Sequence, residues 1–397
     1  MGAILGLGVT HVPLLAGRDE DMARILRRVL QDPALPEQYR RPAGWPAAMR
    51  EEWGDDEGLG AARRHREALV SRFRRARRVL DDFAPDFVVV WGDDQYENFK
   101  EDIIPAFCVL AYDAIEHRPW AESRWPNAWG EDKDTAFTYK GHRTAAKFLT
   151  RGLLDEGFDM AYAYRPLHHP MGHAFMNTML YLDYDRQGFP YPVVPFQVNC
   201  YGRRVIAQRG GMAGWSNLPT EEQLDPPSPS PARCFDLGRA AARVLAASPW
   251  RVALIASSSW SHAFLTPKHH LLYPDVAADR AMYETLRAGS YDAWRKIPLE
   301  QIEDSGQQEM LNWMCLAGAM AELRRPPAET DLVETYLFNS SKCFAFFPPN
   351  LGIEGGLGGP LRASPKKHGC AGEAGARSGL PICRSVVSLL RHTSRLN

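Results

Sequence analysis

Between Leu69 and Trp91 the chain passes from one periodicity to another. Leu69, Phe73, Ala76, Leu80 and Phe83 recur at steps of four and three, which predicts an amphipathic helix. Ala84-Pro85 stops it, because proline clashes with the preceding turn and offers no N–H. Phe87 to Trp91 then runs apolar without a break, as a strand does when both of its faces are buried. Parallel strands need a crossover, usually a helix, so helix, short loop and buried strand is the rhythm of an α/β sheet. The rhythm returns at 141–165 and at 234–256. Tyr191 to Val198 reads as another buried strand, and Ile4 to Val9 as a short one with His11 at its exit. Residues 309–323 read as an apolar helix, with Ser305-Gly306 as its start. The expected fold is α/β, a single domain over 1–350 with a central, mostly buried sheet flanked by helices.

Two regions break the pattern. Residues 17–58 mix charges, prolines and tryptophans with no sustained period, and are expected to form a surface excursion or lid. From 351 to 397 apolar residues thin out and Gly, Ser, Lys and Arg accumulate, which predicts a loose tail. The glycine cluster at its start lacks the βαβ context of a dinucleotide site. The other face of the helix that holds Leu69 to Phe83 carries Arg63, Arg64, Arg66, Arg72, Arg74, Arg75, Arg77 and Arg78; a solvated face is the simpler reading, a nucleic-acid or acidic-partner surface the other. A net charge of -1 exerts no general pull on nucleic acid or an anionic membrane, so neither is expected as a partner. The apolar runs fall short of a bilayer span, and the N-terminus lacks the basic segment of a signal peptide. Seven cysteines without a CxxC pair suggest reduced thiols and a cytoplasmic location.

Ligands of α/β sheets bind where the carboxyl ends of the strands converge. That singles out His11, the polar cluster Asp93 to Glu97 that follows the Phe87–Trp91 strand, and His262 after the strand near 252–256. His168, His169 and His173 crowd into one further segment. Glu309 borders an apolar helical face, where an unpaired carboxylate is costly; a first-turn glutamate favoured by the helix dipole is the plainer alternative.

At these positions the chain resembles the class III extradiol ring-cleavage dioxygenases, the superfamily typified by the β subunit of protocatechuate 4,5-dioxygenase. The resemblance runs in order through THVPLL, DFVVVWGDDQYENFKEDIIPAF, KGHRTAAKFLTRGLLDEGFDM, HHPMGHAF, YPVVPFQVN, RCFDLGRAAARVL, SSWSHAF and SGQQEMLNWMCLAGAM, over about residues 4–345. It leaves out 17–58 and the tail. It implies non-haem Fe(II) held by two histidines and a glutamate, with His11 as the first ligand and Glu309 as the carboxylate. It also implies His262 as catalytic acid/base, and His173 as a histidine lining the substrate pocket, with His169 competing for that role.

The departure lies in GDDQ, where the family has NDH and its second histidine ligand. That histidine falls on Gln95 here, a variant that resembles the 3-O-methylgallate dioxygenase branch. Gln95 would keep the site's charge but donate weakly; Asp94 or Glu97 would add a negative charge. The implied function is extradiol cleavage of a catechol- or gallate-type aromatic diol with O2, by a homo-oligomer. The alternatives are a non-redox metal enzyme, hydrolase or lyase, on the same scaffold, or a non-catalytic binding protein that has lost its metal at Gln95. Trp91, Tyr96, Phe175, Asn177 and Trp260 are equally readable as ring-binding or as core residues.

Overall fold

The structure, a computed structural model, describes residues 2–211 and 214–349. The expected tail, 351–397, lies outside the described residues. The strands are β1 (Ala3–Val9), β2 (Phe87–Asp93), β3 (Phe107–Leu110), β4 (Ala114–His117), β5 (Phe137–Lys140), β6 (Ala161–Ala163), β7 (Val193–Val198), β8 (Arg251–Ser257), β9 (Glu329–Val333) and β10 (Lys342–Phe347). The helices are α1 (Arg24–Leu30), α2 (Ala47–Trp53), α3 (Leu59–Phe83), α4 (Arg143–Asp155), α5 (His173–Leu182), α6 (Arg204–Ala207), α7 (Pro231–Ala246), α8 (Val276–Arg287), α9 (Leu299–Asp304) and α10 (Met310–Glu322).

Eight strands form one sheet in the order β6-β3-β7-β2-β8-β1-β10-β9, while β4 and β5 pair as a separate hairpin. The four central strands β7, β2, β8 and β1 are mutually parallel. Their carboxyl ends therefore share one edge. The apolar runs read from the sequence are these central strands, and alternation divides their side chains between two cores. Val88, Val90 and Ile255 face α3 and α5. Val89, Trp91, Leu254 and Ala256 face α4, α7 and α10.

On the second face, α7 and α10 meet backbone to backbone. A Cβ placed on Gly238 would lie 1.8 Å from the Cys315 carbonyl oxygen, and one on Gly318 would lie 1.9 Å from that of Phe235. Only glycine fits at either position.

The stretch 17–58 does more than cross the surface. Met22, Leu26, Val29, Trp45 and Met49 join the core beneath α3. Of the arginines on α3, Arg72 pairs with Asp331, Arg74 with Asp185, Arg75 with Glu329 and Arg77 with Asp81, so much of that charge is spent within the chain. Among the described residues no helix is long and apolar enough to cross a membrane.

Candidate metal centre and substrate cavity

The shared strand edge is where the chemistry gathers. His11 leaves β1, Asp93 ends β2, Tyr201 follows β7, and His262 follows β8. Glu309 arrives from behind, at the N-cap position of α10. The turn that brings His262 beside it depends on Gly306: its φ is +67°, a Cβ there would meet the His262 carbonyl at 2.5 Å, and its carbonyl accepts the His262 N–H.

The His11 ring is fixed from its far side. Its Nδ1 lies 3.0 Å from the Ser257 carbonyl, which can only accept, so Nδ1 carries the proton and Nε2 presents a lone pair. Asn177 holds the His11 carbonyl at 3.0 Å. That lone pair faces Glu309 Oε2 at 3.4 Å and Asp93 Oδ1 at 3.6 Å. All three residues are buried. Burial pushes the His11 pKa well below its ordinary value, helped by His173 and His262 nearby. Burial raises Asp93 to about 6, and burial together with Asp93 raises Glu309 well above the carboxylate range.

His262 repeats the arrangement. Its Nδ1 lies 2.9 Å from the Trp260 carbonyl, leaving Nε2 as an acceptor 3.2 Å from Glu309 Oε1. Burial, then the charge of Lys342, lowers its pKa to about 3. Tyr201 donates to Glu309 Oε1 at 2.6 Å, and Asn312 donates to Asp93 Oδ1 at 3.1 Å. Asp93 Oδ2 and Glu309 Oε2 are buried with no hydrogen-bond partner among the described residues. Acceptors that converge without a donor between them repel unless a proton or cation sits there. Nitrogen and carboxylate oxygen donors suit a divalent first-row metal. His11, Asp93 and His173 each offer a ligand atom within 4.8 Å of the others.

His173 differs from the other two histidines. Glu97 Oε2 accepts from its backbone N–H and from its ring Nδ1. Burial alone would lower the His173 pKa, but Glu97, then Asp93 and Glu309, raise it to about 10. It is therefore an imidazolium at neutral pH, with its ring edge-on to His11 at 5.1 Å between centroids.

His11, His173, His262 and Glu309 line one cavity. Asp94 does not join them. Its carboxylate is occupied by the backbone N–H groups of Glu97, Asn98 and Phe99, which close the loop after β2. The carboxylate at the centre is Asp93, one residue earlier. Strand parity explains this: Val89, Trp91 and Asp93 share the face turned to α10, and Asn312 of α10 meets Asp93. Gln95 lines the same cavity, but its amide nitrogen donates to Gly210, and among the described residues no hydrogen bond joins it to His11, Asp93 or Glu309. Glu97 is spent on His173.

Tyr96 takes a left-handed φ of +61° and lies beside Glu101, off the cavity wall. His169 lies beside His117, with the rings tilted and 5.6 Å between centroids, and is also off the wall. Trp91, Phe175, Asn177 and Trp260 are buried core residues. Tyr201 and Asn312 escaped sequence reasoning; the signals were the end of the β7 strand and the spacing of three from Glu309 on one helix.

The cavity is about 150 Å³. His11, His173, His262 and Glu309 line one part, and Leu14, Ile25 and Phe264 give apolar wall.

Residues 223–345 match the family described as the catalytic LigB subunit of aromatic ring-opening dioxygenase. That span includes His262 and Glu309. The chain is 26% identical over 239 residues to a 2,3-dihydroxyphenylpropionate/2,3-dihydroxicinnamic acid 1,2-dioxygenase of Comamonas testosteroni, covering 60% of this chain and 61% of that protein. It is 29% identical over 223 residues to the protein of the same name from Burkholderia vietnamiensis, covering 56% of each. A Rhodococcus protein of that name is 30% identical over 99 residues, 25% of this chain and 27% of its own length. The match to these relatives thus spans from about a quarter to about three-fifths of their length.

Proposed function

We propose that this chain, which carries a LigB-type region of the class III extradiol dioxygenases, opens the ring of a catechol- or gallate-type diol beside its hydroxyl pair, using O2 and a bound Fe(II). What supports the reading is that His11 Nε2 faces Glu309 Oε2 and Asp93 Oδ1 while Glu309 Oε2 and Asp93 Oδ2 are buried and unpartnered among the described residues, next to a neutral His262. We assign the metal to His11, Glu309 and Asp93, in place of Gln95 or Asp94. When bound, the ferrous ion would chelate the two ring oxygens, lower their pKa and bring O2 beside the ring.

The chain's own residues supply the rest. His262 is neutral, and its Nδ1–H is anchored on Trp260, so Nε2 is the base that takes a proton from a ring hydroxyl. Once protonated, it is the acid that returns that proton to oxygen. Two carboxylates in place of one would cancel the charge of a divalent ion and weaken its hold on a catecholate. Glu97 favours the charged form of His173, which would restore a positive charge at the cavity. Leu14, Ile25 and Phe264 keep water from the reacting ring.

The test is anaerobic reconstitution with Fe(II), iron quantification, and O2 uptake with catechol, protocatechuate, gallate, 3-O-methylgallate and 2,3-dihydroxyphenylpropionate. One iron per chain with diol-dependent O2 consumption is expected. Stoichiometric zinc in the purified protein, with no O2 uptake after iron loading, would overturn the reading in favour of a non-redox enzyme.

A further inference from the structure

We propose that Arg24 anchors a carboxylate on the ring substituent, so that the preferred occupant of the cavity is an acid as well as a diol. The proposal rests on the ring-binding reading above and names its substrate class.

Arg24 begins α1, inside the stretch that matches no motif of the resemblance, and its side chain lines the same cavity as His11, His262 and Glu309. It is half-buried. Among the described residues no carboxylate lies within salt-bridge distance of its guanidinium and no carbonyl accepts a hydrogen bond from it. Its close contact is the Trp125 ring, at 5.8 Å. Asp21 and Tyr181 act on it only from a distance. Its neighbours are treated differently: Arg27 donates to the Glu20 carbonyl, Arg40 donates to backbone carbonyls and pairs with Glu37, and Arg66 pairs with Asp19.

A guanidinium partly withdrawn from water without an anion has lost hydration and gained only a ring contact in return. Burial indeed pushes the Arg24 pKa below its ordinary value. An anionic occupant of the cavity that Arg24 lines would supply the missing partner. Glu309 lines the other part of the cavity, with Asp93 behind His11, and this acidic end repels a free carboxylate and favours a chelating diol once a metal is present. The two halves therefore orient a ring: diol toward His11 and Glu309, acid toward Arg24. The planar fork of arginine matches the two carboxylate oxygens, which a lysine point charge does not.

Anaerobic calorimetry on the Fe(II)-loaded full chain tests this, with 2,3-dihydroxyphenylpropionate and protocatechuate as acids and catechol as the neutral diol. Wild type should bind at least one acid about 10- to 100-fold more tightly than catechol, as a charge-assisted pair implies. Arg24→Gln should bring that ratio toward one, and Arg24→Lys should restore part of it. A ratio unchanged by Arg24→Gln, or near one in wild type, overturns the proposal, because a merely structural arginine would weaken both ligands alike. The two readings separate cleanly. Arg24-dependent acid binding without O2 consumption keeps this inference and removes ring opening. Ring opening with no acid preference does the reverse. Binding of neither acid nor catechol overturns both.

Discussion

Glu97 accepts twice from a single residue: its Oε2 takes the backbone N–H and the ring Nδ1–H of His173, each at 2.9 Å. The first bond holds the start of α5, and the second holds a charge. Because the folded pKa of His173 is raised to about 10, its contribution to stability is fully present below the unfolded value near 6.5 and is lost as pH rises through about 10. Glu97→Gln should let the ring titrate. In the metal-free protein, its NMR signal should stay in the imidazolium position from pH 6 to 8 in wild type and move within that range in the variant. The variant should also lose about 1–3 kcal/mol at pH 6, with the loss shrinking toward pH 10.

Asp93 and Asp94 are adjacent and should behave in opposite ways. Asp93→Asn should leave the fold intact and weaken Co(II) or Fe(II) binding by about tenfold or more, read from metal titration rather than turnover. Asp94→Ala should leave three backbone N–H groups without their acceptor and cost about 2–3 kcal/mol in urea unfolding. Strong loss of metal in Asp94→Ala together with full retention in Asp93→Asn would refute the assignment.

Lys342 is buried, with its ammonium on the carbonyls of Phe338 and Ser340. Burial lowers its pKa to about 7, though Glu52 and Asp279 pull the other way. Between about pH 7 and its unfolded value near 10.5 the unfolded chain holds the proton and the native chain does not. Stability from this group therefore rises with pH across that window, by at most about 1.4 kcal/mol per pH unit. The difference in unfolding free energy between wild type and Lys342→Met should grow in favour of wild type from pH 7 to 9.5. A constant difference would show that the lysine is not depressed.

Gly238→Ala should be severe for a small change, since a methyl group there meets the Cys315 carbonyl. A loss of about 2 kcal/mol or more is expected from thermal or urea unfolding. An exposed glycine such as Gly157, where a Cβ meets nothing within 4 Å but φ is +83°, is the comparison; its cost should be about 1 kcal/mol and purely conformational.

Much of this was legible because burial on both faces leaves a plain signature. The apolar runs ending at Val9, Trp91, Val198 and Ala256 marked the four central strands, and with them the edge where His11 and His262 meet. Asp93 was included in the polar cluster but passed over in favour of Gln95, Asp94 or Glu97, because the apolar run stops at Trp91 while the strand continues for two more residues; counting parity from Val89 turns Asp93 inward. Asp94 looked like a ligand because a loop-closing aspartate and a metal-binding aspartate have the same composition around them and differ only in where their oxygens point. Arg24 carried no signal at all. Residues 17–58 have no period to read, and whether an arginine there meets an acid or a cavity is decided by tertiary packing.

The contact between α7 and α10 bears on more than stability. Glu309 stands at the head of α10, and at Gly238 and Gly318 α10 is seated against α7 by bare backbone, with no side chain at those two points to yield. The carboxylate's distance from His11 is thus gauged on the far side of the sheet, as a machinist sets a tool from a hard stop. Changes at Gly238, Gly318, Phe235 or Cys315, none of which lines the cavity, would shift the reach of Glu309 toward His11 and His262 without touching any residue of the cavity.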